Sequence, residues 1–117
     1  MIEITLIDYL ISKDLTVRNH IYAEVPEDPP DLYIVIEKTG SGKTNRINRA
    51  MVAIQSIGKK GKKSLLDVMR LNEEVLQAMD KMAQLPGIFR CELNSDYNFT
   101  NEQTKEYRYQ AVFDVYY

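Results

Sequence analysis

The chain has 117 residues, 44% hydrophobic and 27% charged, which are ordinary proportions for one globular domain and exclude a disordered chain. Its single cysteine, Cys91, excludes an internal disulfide and predicts a reducing compartment. No apolar run approaches the ~20 residues that cross a bilayer, and Glu3 and Asp8 interrupt the only candidate for a signal peptide. We therefore expect one domain, 1–117, with no membrane partner.

The net charge of −2 hides a strong segregation of charge along the chain. Residues 38–63 hold eight bases and no acid, whereas residues 1–37 hold eight acids and two bases. Such a block is a candidate docking surface for an anion, either nucleic acid or the acidic face of a second copy. The bases are Lys38, Lys43, Arg46, Arg49, Lys59, Lys60, Lys62 and Lys63. The candidate complementary acidic patch is Glu24, Glu27, Asp28 and Asp31.

In the first half, apolar residues at helical spacing predict a short helix over 2–12. Ile21–Val25 is expected to be a short strand, followed by an extended connection rich in proline. Leu32–Ile36 is predicted to be a strand buried on both faces. Thr39–Gly42 is predicted to be a flexible turn into an antiparallel strand at roughly 46–56.

In the second half, Ser64 followed by Asp67 is typical of a helix N-terminus. A stripe of apolar residues then predicts a long helix that ends at Pro86-Gly87. Alternation over 88–93 and 107–115 predicts two strands of a C-terminal hairpin. On the first of these strands one face is predicted to enter the core: Phe89, Cys91 and Leu93.

The order of these elements predicts an α+β fold. In that fold an antiparallel sheet carries the short N-terminal helix and the long helix on one face, and the C-terminal hairpin completes the sheet.

Gly40–Thr44 is similar to the end of a phosphate-binding loop, in which backbone N–H groups and a lysine hold phosphates. The first glycine of that motif would fall at Glu37, whose carboxylate repels phosphate, and no helical pattern follows. The segment therefore favours a hairpin tip over the site of a nucleotide-dependent enzyme. With His20 as the only histidine and Cys91 as the only cysteine, no catalytic or metal-binding set can be assembled. We predict that the chain is not an enzyme and binds no cofactor or metal.

Tyrosine is the dominant aromatic residue, with eight copies against three of Phe and none of Trp. Its ring buries area while its hydroxyl finds a polar partner, which explains its enrichment in protein interfaces. The alternative is that these tyrosines are half-buried in the sheet. The C-terminal pair, Tyr116 and Tyr117, is predicted to lie at an edge that docks on a neighbour.

Six segments together carry a resemblance that covers nearly the whole chain: Glu24–Pro30, Ile36–Gly40, Ala53–Ser56, Leu71–Val75, Leu93–Thr100 and Tyr107–Asp114. In this order they resemble a family of small proteins from tailed bacteriophages and prophages of Gram-positive bacteria. That family is similar in layout to tail-terminator and tail-completion, or head–tail joining, proteins.

The resemblance implies a structural protein of virion assembly without catalytic residues. It implies a homo-oligomeric ring, usually a hexamer, that caps the tail tube, stops its polymerisation and joins it to the head. The implied partners are further copies of the chain, tail-tube proteins and head-connector proteins. The implied location is the cytoplasm of the bacterial host during assembly and then the tail of the virion.

Two roles for the charges remain open at this point. A ring built head to tail needs two different complementary patches on each copy, which the acidic patch and the basic block could supply. Alternatively, the basic block lines a lumen through which DNA passes. A different class of function is a small nucleic-acid-binding module that uses the basic 38–63 segment.

Overall fold

The computed structural model describes the backbone of residues 1–117 and every side chain except that of Thr44. The elements are α1 (Ile2–Ser12), β1 (Ile21–Tyr22), β2 (Leu32–Thr44), β3 (Ile47–Lys59), α2 (Leu65–Met79), a 3₁₀ turn (Met82–Gln84), β4 (Arg90–Asn98) and β5 (Glu106–Tyr116). No helix of the described part of the chain is both long and apolar enough to span a bilayer.

The five strands form one sheet in the order β1-β2-β3-β5-β4. The short β1 runs parallel to β2, and every other neighbouring pair is antiparallel. Both helices pack on the same face, which we call the helix face, over alternating apolar residues of the strands. The opposite side, which no helix covers, is called the open face. The predicted α+β class, with a short and a long helix on one face of a sheet and a C-terminal hairpin, is confirmed.

The prediction of a flexible turn at Thr39–Gly42 is wrong, because these residues continue β2. The turn is Asn45-Arg46, two residues whose φ angles are +51° and +67°. Two-residue hairpin turns of the primed type require positive φ at both central positions, and their twist matches that of the flanking strands. The glycines instead follow a β-bulge between Lys38 and Gly40. Glycine marks such bulges as well as turns, which explains the error.

α2 begins at the predicted place and ends early. The Ser64 side chain accepts from the Asp67 N–H at 3.1 Å, and the Asp67 carboxylate accepts from the Ser64 N–H at 2.9 Å, which completes a capping box. The helix ends at Met79, seven residues before Pro86. Met82 is nevertheless fully buried, so a 3₁₀ turn continues the apolar stripe that predicted a longer helix.

β4 also departs from expectation, because Phe89 and Leu93 do not enter the core. Their side chains are 67% and 51% exposed, whereas Cys91 between them is half-buried against the core. The reason is the strand order: α2 lies over β3 and β5, and it meets the outermost strand, β4, farther along, where Asn72 donates to Asp96 at 3.1 Å. β4 also runs on to Asn98, through residues predicted to be a polar loop.

Candidate assembly surfaces

The basic block of residues 38–63 does not form one surface. Lys43, Arg46 and Arg49 lie at or near the β2–β3 turn, and we call them the basic tip. Lys59, Lys60, Lys62 and Lys63 lie between β3 and α2, and we call them the basic base. Nine residues of β3, 50–58, separate Arg49 from Lys59, a span of ~33 Å at the rise of an extended strand. Lys38 lies between them on β2, where it is exposed.

A tight turn builds the basic base. The N–H groups of Lys62 and Lys63 both donate to the carbonyl of Lys59, at 3.1 and 2.8 Å, and Gly61 supplies a φ of +87°. The turn thereby places the backbones of the four lysines side by side just before α2. β5 contributes Tyr107, whose ring centroid lies 5.3 Å from the Lys60 ammonium. Tyr107 was not predicted to lie here, since it comes 47 positions after Lys60 in the sequence.

The acidic patch lies at the same end of the molecule as the basic base. All four of its carboxylates are exposed on the segment that leads into β2. The N–H of Lys59 donates to the carbonyl of Asp31 at 2.8 Å, which fixes the two segments side by side. No ion pair within the part of the chain that the structure describes joins these acids to these lysines. Both groups are therefore exposed charges at one end, while the basic tip lies at the other.

Within the basic tip, Arg49 is engaged in the fold. Its Nη2 and Nε donate to Oδ1 of Asp114 at 2.8 and 3.2 Å, and these hydrogen bonds raise the pKa of its guanidinium. The Asp114 side chain is only 12% exposed, so this pair holds β3 to β5. The exposed charges of the tip that remain are those of Lys43 and Arg46.

Tyr116 and Tyr117 lie inside the sheet, so the prediction that they form its edge is wrong. Tyr116 pairs with Arg49 of β3 on one side and Arg90 of β4 on the other. The Arg90 guanidinium stacks 4.3 Å from the Tyr116 ring centroid. Tyr117 exchanges two backbone hydrogen bonds with Asn48. Both rings are half-buried, and their role as interface residues stays a prediction.

The open face carries a connected set of polar side chains. Arg108 donates to Gln55 at 3.1 Å, Gln55 donates to Gln110 at 3.0 Å, and Gln110 donates to the Tyr97 hydroxyl. The Tyr33 hydroxyl donates to Glu106 at 2.8 Å, and burial raises the pKa of that hydroxyl. These groups satisfy one another, as half-buried polar groups must.

The candidate catalytic and metal-binding residues are not brought together. His20 is exposed and contacts the Tyr22 hydroxyl, whereas Cys91 is half-buried, and burial raises the pKa of its thiol to about 11. Gly40–Thr44 is extended, so it does not wrap its N–H groups around a phosphate. Across the described residues, no cluster of three His, Cys, Asp or Glu side chains could hold a metal ion.

The sheet is open at both edges. The outer side of β4 has no strand beside it, and β1 covers β2 only at Ile34 and Val35. Every residue of β2 from Glu37 to Lys43 is exposed. Edge strands present unpaired N–H and C=O groups that can pair with another chain. Sequence reasoning did not identify these edges, because strand order depends on contacts between distant segments.

A scan of protein-family models and a search of characterised proteins each found no match to this chain.

Proposed function

We propose that this chain is a structural subunit of a tailed phage or prophage, which self-assembles into a ring that caps the tail tube and joins it to the head. The observation that carries the self-assembly is a single sheet with an unpaired edge on each side. A subunit with two different free edges can bind one neighbour on each, and such heterologous contacts generate a ring when the rotation closes. The place in a phage tail rests on the six segments that resemble the tail-terminator and tail-completion family.

The distribution of charge supports side-by-side assembly. At the base of the sheet the acidic patch lies on the β2 side, while Lys60 lies toward β5, where its N–H donates to the carbonyl of Lys105 at 2.8 Å. When copies stand side by side in the same orientation, the acidic patches and the basic bases of successive copies alternate along one rim. Opposite charges at matching positions suppress wrong partners and fix the register of an interface.

The basic tip lies at the opposite end of the sheet, at the turn of the β2–β3 hairpin. In a ring of parallel subunits the tips of all copies lie on one rim, where Lys43 and Arg46 would form a belt of positive charge. Such a belt suits either passing DNA or an acidic surface of a tail or head protein.

The proposed function is tested by inactivating the gene in the phage or prophage that carries it and imaging the particles by electron microscopy. We expect unjoined heads and tails, with tubes of irregular length, because the stop on polymerisation is lost. Supplying the unaltered chain in trans should restore joined particles, which controls for effects on neighbouring genes. Normal infectious particles without the chain would overturn the proposal.

A second candidate function is nucleic-acid binding by the basic base. The observation that favours it is the tight turn that gathers four lysines beside the Tyr107 ring. Titration of a labelled DNA duplex at several salt concentrations tests it, with Lys60→Glu/Lys62→Glu as the variant and Lys43→Glu/Arg46→Glu at the tip as the matched control. Affinity that falls steeply with salt and is lost only in the base variant would favour this function over the ring.

A further inference from the structure

The two free edges of the sheet run in compatible directions. β2 and β5 run one way, and β3 and β4 run the opposite way, because each neighbouring pair among them is antiparallel. When a second copy stands beside the first in the same orientation, β4 of the first copy meets β2 of the second. The two strands are then antiparallel, so the alternation of directions continues from one copy into the next.

The free segments of β2 and β4 also lie level with each other along the strand direction, because the same rows of paired residues join them. Gly42 pairs with Arg49, Arg49 with Tyr116, and Tyr116 with Arg90, so the row that begins at Gly42 ends at Arg90. Three neighbouring rows are Ser41-Ala50-Val115-Cys91, Gly40-Met51-Asp114-Glu92 and Lys38-Val52-Phe113-Leu93. The first half of β4 therefore stands level with the uncovered half of β2.

The bulge of β4 also lies within about two rows of the point where β1 stops covering β2. On β2 the uncovered segment begins where β1 ends, just beyond Val35. On β4 the regular pairing with β5 is interrupted by a bulge between Leu93 and Ser95. A bulge bends a strand and increases its twist, so β4 changes direction close to the row where β1 of a neighbour would begin, although its pairing with β5 continues to Asn98.

The side chains at matching heights are complementary in size. The rows place Gly40 and Gly42 of one copy level with Glu92 and Arg90 of the other. A Cβ built at Gly42 would meet no atom within 4 Å, and one at Gly40 would meet only Met51 at 4.0 Å, so both glycines leave open space beside the strand. The side chain of Glu92 can therefore extend over the glycines of β2, whereas Arg90 turns back over the Tyr116 ring of its own copy. The same contact would cover Phe89 and Leu93, which are 67% and 51% exposed in the single chain.

We infer that residues 90–93 of β4 pair antiparallel with residues 38–42 of β2 in a second copy of this chain, so that one sheet continues from copy to copy. The inference rests on the self-assembly part of the proposed function and names the strands that carry it. The contact is heterologous, because each copy gives β4 to one neighbour and β2 to the other.

Cysteine cross-linking between two separately purified variants tests this pairing. In a Cys91→Ala background, Gly40→Cys is made in one preparation and Glu92→Cys in a second that carries an affinity tag to distinguish its mass. The two are mixed and mildly oxidised at a concentration where light scattering shows oligomers. Facing residues of antiparallel strands have a Cα separation within the range that a disulfide accepts. Gly42→Cys mixed with Glu92→Cys probes the register displaced by two residues.

We expect the mixed disulfide to form in one of these two mixtures and each variant to remain largely uncoupled when oxidised alone. Lys13→Cys, an exposed position at the end of α1, is the control and should not couple to Glu92→Cys. If oligomers form but only Glu92→Cys couples to itself, β4 pairs with β4 and the inference is overturned. If oligomers form and no mixture couples, the inference fails while self-assembly stands. A monomer under all conditions overturns the proposed function and this inference together.

Discussion

The guanidinium of Arg49 and the carboxylate of Asp114 form a cross-strand ion pair on the open face of the sheet, with Nη2 2.8 Å from Oδ1. Asn94 donates to the second oxygen of the same carboxylate at 3.3 Å. One buried acid thus connects β3, β4 and β5 near the end of the sheet that carries the basic tip. Because the pair fixes the strand that leads to the hairpin turn, it holds both free edges in their relative positions.

Replacing Asp114 with Ala should destabilise the fold by about 1–3 kcal/mol, because the donors of Arg49 and Asn94 would lose their acceptor. Urea unfolding of the monomer at low protein concentration measures the change. Glu92→Ala is the control, since its ion pair with Arg90 is exposed on both sides and such pairs contribute about 0–1 kcal/mol. Equal losses of stability in the two variants would contradict the structural role of Asp114.

Gly58 marks the closest approach of the sheet to α2. A Cβ built at Gly58 would lie 2.5 Å from Cγ2 of Val68 and 3.3 Å from the Cβ of Lys63. Gly58→Ala should therefore force α2 away from β3 and cost about 1–3 kcal/mol of unfolding free energy. Gly42→Ala is the matched control, because the added Cβ meets no atom within 4 Å. Its effect on the unfolding free energy should be neutral or slightly stabilising. The prediction fails if thermal unfolding shows the two variants to be equally stable.

Arg46 occupies a left-handed backbone conformation, with φ at +67°, that an L side chain disfavours. Arg46→Gly should relieve this strain and raise the free energy of unfolding by up to ~1 kcal/mol. Arg46→Ala removes the charge but keeps a Cβ at the strained position, so it should bring no such gain. Chemical unfolding of both variants separates the two effects. A similar gain in both would show that charge repulsion at the tip, and not backbone strain, is relieved.

Cys91 should react slowly with alkylating reagents while the chain is folded. Burial, followed by the nearby carboxylates of Asp114 and Asp80, raises the pKa of its thiol from 9.0 to about 11. Since the thiolate is the reactive form, the rate in the folded chain should reach half its maximum near pH 11. Iodoacetamide labelling followed by mass spectrometry measures this profile, with the chain in urea as the reference. A half-maximal rate near pH 9 in the folded chain would refute the shift.

The helices and the last strand could be predicted because their signals are local. The apolar spacing of α1, the Ser64–Asp67 cap of α2 and the alternation of β5 each lie within a dozen residues. The predicted position of the hairpin turn was wrong because it followed the two glycines, Gly40 and Gly42. Asparagine also tolerates the left-handed conformation that the turn needs, and Asn45 adopts it.

The candidate surfaces were harder to predict, because they depend on strand order. The basic block is continuous in sequence, yet a long strand carries its two halves to opposite ends of the sheet. Phe89 and Leu93 alternate as core residues do, but they lie on the edge strand β4, where both remain exposed. The pairing of β1 with β2 and of β5 with β3 joins segments that no local pattern connects.

Self-assembly is tested most directly by the mass of the unmodified chain in solution, measured by light scattering behind a sizing column across protein and salt concentration. We expect a discrete multiple of the 13.6 kDa chain mass at high protein concentration, with six copies if the ring follows the family that the sequence resembles. A mass of one chain at every concentration and salt would contradict the assembly of this protein through its sheet edges.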